Sequence, residues 1–88
     1  MKLIIAIIRD SDNDLVSKAL TSNNFRVTCI ASTGGFLRRG ASTLLIGLED
    51  DQVNHALQII RETIPPSNDP GFHKVTIFVL KVDEYLRI

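Results

Sequence analysis

The sequence predicts an α+β fold in which two helices pack on one face of an antiparallel sheet. Four stretches of the chain have strand-type patterns, and two others place apolar residues at helical spacing. These stretches follow one another in the order strand, helix, strand, strand, helix, strand. This βαββαβ order, with crossover connections that return right-handed, is that of the ferredoxin-like fold.

The first strand and the first helix are predicted from the N-terminal quarter of the chain. Residues 3–8 form an uninterrupted apolar run, typical of a strand covered on both faces or along one face and an interface, and they predict a central strand with Ile7 in the core. Residues 10–14 supply polar side chains and negative charge that suit a helix N-terminus. We therefore expect a helix over residues 11–22.

The second strand combines an inward-packing face and a polar face. Arg26 and Thr28 stand two positions apart, so they are predicted to share one face of this strand. The other face is predicted to pack inward, which makes Cys29 a small buried hydrophobe. The two alternating sets are Phe25, Val27, Cys29 and Ala31 on one face, and Arg26, Thr28, Ile30 and Ser32 on the other.

A third strand and a second helix follow. Residues 42–48 predict the strand, in which Gly47 leaves room for another group to approach the backbone. The acidic run Glu49, Asp50 and Asp51 is explained as capping charge for the helix that follows it. That helix ends at Pro65, because proline cannot continue a helix. Its apolar stripe consists of Val53, Ala56, Leu57, Ile60 and Ile64.

The last strand is predicted over residues 75–82, after a turn-rich connection. Residues 83–88 are predicted to form a short tail whose apolar side chains dock on the domain or on a neighbouring chain. These side chains are Tyr85, Leu86 and Ile88. Phe25 and Phe78, the aromatic residues of the strands, lie among aliphatic residues and are predicted to be core.

Length and composition limit the class of protein. Its 88 residues predict one domain, residues 1–88, with a modest core, and 44% hydrophobic residues indicate faces buried between subunits. Ten basic and ten acidic residues cancel, which argues against a general polyanion binder. A lone cysteine forms no internal disulfide, so we expect a cytoplasmic protein. The run at 3–8 is too short to span a membrane, and no small-residue cleavage site follows it.

Catalysis and metal binding are not predicted. His55 lies in the second helix and His73 in a loop, and neither has a cysteine or carboxylate at ligand spacing. No serine or cysteine is paired in the sequence with an adjacent base. We therefore expect a protein that is not an enzyme and that has no catalytic residues, no metal site and no cofactor.

The turn Thr33-Gly34-Gly35-Phe36-Leu37-Arg38-Arg39 has the chemistry of a site for an anionic ligand with a flat base. Two glycines allow backbone N–H groups to approach a phosphate, and arginine matches phosphate oxygens with a planar fork. Phe36 offers a stacking surface for a base. The alternative is an ordinary hairpin connection with solvated arginines, and the local chemistry leaves both interpretations open.

Three motifs at unbroken spacing resemble the PstA-type, PII-like receptors for cyclic di-AMP. They are Asn24-Phe25-Arg26-Val27-Thr28, the turn from Thr33 to Arg38, and a strand that contains Gly47. The resemblance implies a bacterial, PII-like signal-transduction protein. It also implies a homotrimer that binds cyclic di-AMP or a related adenine nucleotide in clefts between subunits and regulates a protein partner.

The resemblance also implies roles for individual residues. Arg26 and Thr28 would contact the phosphate or the base, and Phe36 would flank an adenine. Gly47 would allow the edge of the base to reach the backbone of the third strand. Asn24 would pair with the adenine edge, although closing the first helix in a left-handed conformation is an equal alternative. The ligand-binding residues implied in full are Asn24, Arg26, Thr28, Thr33, Gly34, Gly35, Phe36, Leu37 and Gly47.

Two departures from the family pattern bear on the ligand. Ala41 stands where the family has asparagine, and the connection at 65–73 is shorter than the family's glycine-rich loop. Weaker binding of cyclic di-AMP, or a preference for another adenylyl nucleotide, would follow. The remaining alternative is a ferredoxin-like module that binds RNA or protein, since RNA-recognition domains share this strand order.

Overall fold

The computed structural model describes residues 1–32, 40–64 and 75–88, and it confirms the predicted order of elements. Short 3₁₀ turns at Asp10–Asp12 and Asp50–Gln52 precede the two helices. The strands and α-helices of the described residues are β1 (Lys2–Arg9), α1 (Asn13–Ser22), β2 (Arg26–Ser32), β3 (Ala41–Leu48), α2 (Val53–Thr63) and β4 (Val75–Lys81).

The strands of the described residues form one antiparallel sheet in the order β2-β3-β1-β4. β1 pairs with β3 on one side and with β4 on the other, which confirms the prediction that the first strand is central. Ile4, for example, lies opposite Ile46 of β3 and Val79 of β4. β2 and β4 are the edges of this sheet.

The core lies between the helices and one face of the sheet. Alternate residues of β1 and β3 point to this face and are buried, while the residues between them are only partly buried or exposed. The aromatic ring of Phe25, 8% exposed, also belongs to the core, as predicted. The other buried apolar residues are Ile4, Ala6, Ile8, Val16, Leu20, Leu44, Ile46, Leu48, Ala56, Ile59, Ile60 and Ile64.

The opposite sheet face, here called the open face, carries no helix among the described residues. Ile7 lies on this face and is half-buried, so its prediction as a core residue is wrong. Phe78 pairs with Ile5 on the same face and is 51% exposed, so its prediction as core is wrong as well. A wholly apolar strand has no alternation, and the sequence therefore left open which face the helices cover.

The N-cap residue of α1 does not cap the helix through its side chain. Asp12 is the N-cap residue of α1, but its carboxylate makes no capping hydrogen bond and accepts one from Arg9 Nε at 2.9 Å instead. Asp10 and Asp12 are both 7% exposed, so this turn is packed against the sheet. The negative charge still lies at the positive end of the helix dipole.

The ends of the helices agree with the sequence prediction. At the end of α1, Asn24 N–H donates to Thr21 O at 3.0 Å and Phe25 N–H donates to Leu20 O at 3.1 Å. With Asn24 at a φ of 69°, this is a Schellman motif closed by a left-handed asparagine. α2 ends at Thr63, and its C-cap residue Ile64 has the extended backbone that is favoured before proline.

A β-bulge interrupts β2 after Cys29. Cys29 pairs with Leu44, but Ala31 pairs with Thr43, so the register shifts by one residue and the predicted alternation holds only as far as Cys29. The Cys29 side chain is exposed, which contradicts its predicted burial. β2 is an edge strand, and the Cys29 sulfur lies 3.9 Å from Asn13 Nδ2 at the margin of the helix layer.

None of the helices in the described part of the chain combines the length and the apolar character that crossing a membrane requires.

Candidate nucleotide-binding site

Three of the predicted ligand-binding residues meet on the open face. Arg26 lies opposite Gly47, and Gly47 in turn lies opposite Leu3 of the central strand. Thr28 lies opposite Leu45, one pleat further along. The structure thus confirms that Arg26 and Thr28 share a face. The strand register places Gly47 on the same face, next to Arg26.

These residues line a pocket of about 630 Å³, a volume within the usual range of about 300–1,000 Å³ for small-molecule sites. The segment after β4 contributes to the pocket: Val82 N–H donates to Met1 O at 3.1 Å, and Val82, Tyr85 and Arg87 are lining residues. The described residues that line the pocket are Met1, Leu3, Arg26, Thr28, Leu45, Gly47, Val82, Tyr85 and Arg87.

The pocket has the electrostatics of an anion site. Arg26 and Arg87 are its charged side chains among the described residues, and no acidic residue is among those that line it. Within the described part of the chain, neither guanidinium is held in an ion pair. Two permanently charged forks therefore face the pocket with donors available for phosphate oxygens.

The rest of the pocket surface suits a base. Leu3, Leu45 and Val82 are half-buried and form an apolar wall, and Tyr85, 56% exposed, adds an aromatic ring. An aromatic or aliphatic surface can stack on a base, while the Thr28 hydroxyl can donate or accept a hydrogen bond. A nucleotide has negatively charged phosphates and a flat base, so a pocket with fixed positive charge beside an apolar wall suits it.

Gly47 lies against the end of the Met1 side chain. A Cβ atom added to Gly47 would lie 3.3 Å from Met1 Cε, closer than ordinary van der Waals contact, so the end of the Met1 side chain would have to shift slightly. The predicted approach of a base edge to the Gly47 backbone stays a prediction. The Met1 ammonium lies 3.0 Å from Asp50 Oδ1, and its hydrogen bond holds the pKa of that carboxyl below its ordinary value. Met1 is thereby held over Gly47 at the mouth of the pocket.

Asn24 lies in a second groove, of about 490 Å³, beside the first pocket. Met1, Arg26 and Gly47 line both cavities, so the Arg26 side chain stands between them. The φ of 69° confirms that Asn24 closes α1. Its side chain is exposed, and its contact with a base stays a prediction.

The glycine-rich part of the predicted site lies outside the described residues. This part consists of Thr33, Gly34, Gly35, Phe36 and Leu37. The flanking residues Ser32 and Ser42 pair at one end of β2, and Arg26 and Gly47 pair at its other end. At about 3.3 Å per residue, the two ends of this strand are about 20 Å apart. The anchors of the glycine-rich turn therefore lie about 20 Å from Arg26 along the strand, and about 13 Å from Thr28, which also lines the pocket.

Sequence reasoning missed the contribution of the C-terminal segment. Tyr85 was expected to dock on the domain or on a neighbour, and Arg87 was not identified, yet both line the pocket. Their spacing of two positions, which places side chains on one side of an extended segment, was the available signal.

The histidine prediction is tested only for His55. It lies exposed on α2, with its ring centroid 5.5 Å from that of Phe25, in agreement with a surface histidine. His73 lies outside the described residues. Over residues 1–32, 40–64 and 75–88, no group of three or more His, Cys, Asp or Glu side chains is placed to hold a metal ion.

The sequence matches the model of one known protein family. Residues 1–69 match the family described as cyclic-di-AMP receptor. The chain belongs to this family. The match covers every predicted ligand-binding residue of the receptor and ends before β4, so Tyr85 and Arg87 lie beyond it.

The fold of the receptor is also found in solved structures. A crystal structure of a functionally unknown protein from Pediococcus pentosaceus superimposes with a TM-score of 0.80 at 33% sequence identity. The alignment covers 99% of the receptor chain and 96% of that protein. This similarity confirms the ferredoxin-like arrangement with both helices on one face of the sheet.

Proposed function

We propose that this chain is a PII-like signal-transduction protein of the bacterial cytoplasm, folded as a single domain over residues 1–88. It binds cyclic di-AMP or a related adenine nucleotide and passes that signal to a protein partner. The observation that supports this proposal most strongly is the pocket in which Arg26 and Arg87 face an apolar wall, in a chain that belongs to the cyclic-di-AMP receptor family.

Five residues of the pocket have a proposed role in nucleotide binding. Arg26 and Arg87 hold the phosphates, since two guanidinium groups match the two charges of a cyclic dinucleotide. Thr28 adds a hydroxyl, and the backbone at Gly47 meets the edge of a base. Tyr85 stacks on an adenine.

The glycine-rich turn is proposed to reach this pocket from another copy of the chain. Its anchors, Ser32 and Gly40, lie at the end of the sheet remote from Arg26. On β4 the open face carries exposed apolar side chains, with Phe78 51% and Leu80 45% exposed, and exposed apolar surface of this kind favours self-association. A homotrimer would bury this face and place the turn of one copy, with Phe36, against the pocket of the next.

Calorimetric titration tests the ligand. We expect cyclic di-AMP to bind with one molecule per chain and to raise the melting temperature, because a ligand that binds only the folded state stabilises it by RT ln(1 + [L]/Kd). Cyclic di-GMP is expected to bind far more weakly, since guanine presents O6 and N2 where adenine has N6 and a bare edge.

ATP serves as the comparison ligand in the same titration. Tighter binding of ATP than of cyclic di-AMP would assign the site to another adenine nucleotide, as the departures at Ala41 and at residues 65–73 suggest. No binding of any adenine nucleotide at millimolar concentration would contradict the proposed function.

Light scattering tests the assembly. We expect a trimer mass for the wild-type chain and a monomer mass for Phe78→Glu, because a carboxylate at this half-exposed position would be buried without a partner in the trimer. Phe78→Glu should remain folded by circular dichroism and should lose nucleotide binding, since the site is proposed to need two copies.

Leu15→Glu, at a position 61% exposed on α1, is the matched control and should change neither mass nor binding. A wild-type monomer that binds nucleotide would refute the intersubunit cleft.

One observation favours the alternative of an RNA-binding module. Phe78 is exposed on the open sheet face, where RNA-recognition domains place the aromatic residues that stack on bases. The balance of ten basic and ten acidic residues opposes this alternative, because binding of a long polyanion depends on excess positive charge. Titration with single-stranded RNA in parallel with cyclic di-AMP separates the two functions.

A further inference from the structure

The groove beside the pocket lies between the end of α1 and the beginning of α2. Its volume of about 490 Å³ is within the usual range for small-molecule sites. Met1, Arg26 and Gly47 line both cavities, so pocket and groove form one depression with the Arg26 side chain at its middle. The residues that line only the groove are Asn23, Asn24, Phe25, Leu48, Glu49 and Gln52.

The chemistry of the groove differs from that of the pocket. Three amide side chains and the carboxylate of Glu49 line it, and Arg26 is its one cationic side chain among the described residues. The Glu49 carboxylate forms no ion pair within the described part of the chain. An ionised carboxylate accepts hydrogen bonds and repels phosphate, whereas an amide both donates and accepts. The groove therefore suits an uncharged group that carries hydroxyls, and it does not suit a phosphate.

Local hydrogen bonds hold both walls of the groove. On one wall, Asn23 Nδ2 donates to Ala19 O at 2.8 Å, and Asn24 is fixed in its left-handed conformation at the end of α1. On the other wall, Gln52 N–H donates to Glu49 O at 3.0 Å in the turn before α2. A site whose walls are held before the ligand arrives has less conformational entropy to lose on binding.

We propose that the groove is the ribose subsite of the nucleotide site, with Glu49 as the acceptor for a ribose hydroxyl. The sugar is bonded directly to the phosphate, so a phosphate held at Arg26 places the ribose in one of the two cavities that Arg26 separates. The groove offers the hydrogen-bonding groups that a ribose needs, whereas the pocket offers an apolar wall for a base.

The hydroxyl concerned follows from the chemistry of the ligand. In a cyclic dinucleotide with 3′,5′ linkages, the 2′-hydroxyl is the ribose hydroxyl that is not esterified, and it donates to the Glu49 carboxylate. The Gln52 amide lies in the same wall and donates to a ribose oxygen. This inference rests on the proposed function, because it divides the nucleotide between the pocket and the groove.

Titration with cyclic di-AMP and with its 2′-deoxy analogue tests the hydroxyl contact. We expect the wild type to bind the deoxy analogue about tenfold more weakly, because a site that hydrogen-bonds a hydroxyl discriminates against a ligand that lacks it. Glu49→Ala is expected to bind both ligands with the same Kd. The ratio of the two Kd values is the readout, since both ligands carry the same charge and any general effect of removing a carboxylate cancels.

Asp51→Ala is the matched control for charge. Asp51 is an exposed carboxylate two positions from Glu49, and it lines neither cavity. Asp51→Ala removes the same charge close to the site and should keep the tenfold preference for cyclic di-AMP. Both side chains are exposed, so both variants should fold as the wild type does, which circular dichroism checks.

Nuclear magnetic resonance of the ¹⁵N-labelled protein locates the ligand. The side-chain amide signals of Asn24 and Gln52 should shift when cyclic di-AMP is added, because both amides line the groove. The side-chain amide of Gln58 should keep its position, since its Nε2 donates to Glu62 Oε1 at 3.0 Å on α2 and the residue does not line the groove.

The outcomes separate this inference from the proposed function. A wild type that binds both ligands equally, or a Glu49→Ala protein that keeps the preference for cyclic di-AMP, would overturn the ribose subsite and leave the proposed function standing. Unshifted amide signals of Asn24 and Gln52 in a protein saturated with cyclic di-AMP would do the same. If the wild type binds no adenine nucleotide at millimolar concentration, the proposed function is wrong, and the subsite with it.

Discussion

Arg26→Ala is expected to weaken binding of cyclic di-AMP by about 30- to 150-fold, which corresponds to about 2–3 kcal/mol. Arg26 lies between the open-face pocket and the neighbouring groove, and it faces a pocket without acidic residues among its described lining. Charge-assisted hydrogen bonds to a phosphate in a partly desolvated site have about this value. The loss should become smaller at high salt, because mobile ions screen the interaction that the variant lacks.

Stability measurements separate binding from folding for this variant. Arg26 is exposed and makes no ion pair within the described residues, so Arg26→Ala should lower the free energy of unfolding of the ligand-free protein by less than about 1 kcal/mol. Arg61→Ala, at an exposed arginine of α2 on the other side of the molecule, is the matched control and should bind as the wild type does. An Arg26→Ala protein that is unstable but binds normally per folded molecule would assign Arg26 a structural role.

Ile4→Ala is expected to lower the free energy of unfolding by about 2–5 kcal/mol, as large-to-small substitutions in a core do. Ile4 is 0% exposed on the central strand, where both neighbouring strands and the helix layer surround it. Removal of three carbon atoms there loses buried apolar surface and leaves a cavity that the rigid sheet cannot close. Urea denaturation followed by circular dichroism measures the change.

Ile7→Ala on the same strand is the informative comparison. Ile7 lies on the open face, so in the proposed homotrimer part of its contribution comes from coverage by another copy of the chain. Its effect on the unfolding midpoint should therefore decrease as the protein is diluted, whereas the local effect of Ile4→Ala should persist. Equal effects of the two variants at every concentration would contradict the assignment of the open face as an intersubunit surface.

Local signals in the sequence predicted the elements and much of their chemistry. Pro65 ended α2 where predicted, because a proline and the residue before it cannot continue a helix. Asn24 was recognised as a candidate left-handed residue, since asparagine tolerates a positive φ at a helix end. The shared face of Arg26 and Thr28 followed from the period of a strand, and this period holds as far as the bulge.

Which side chains are buried was predicted less well, because burial depends on the order of the strands and on the sheet face that the helices cover. β1 and β4 are apolar at nearly every position, so no alternation indicated that Ile8 faces the helices and Ile7 the open face. Phe78 was assigned to the core for the same reason. Cys29 is exposed because β2 is an edge strand, and the order of strands in the sheet is not encoded in any single strand.

By itself, the sequence determined the order of the elements and the ends of the helices, and it predicted part of a candidate nucleotide site. These depend on the conformational preferences of neighbouring residues, which act over a few positions. Only the tertiary structure decided that Arg26, Gly47 and Arg87 share one pocket, and that the anchors of the glycine-rich turn lie about 20 Å from Arg26 along β2. Such distances depend on strand order, register and the face that the helices cover, which long-range packing sets.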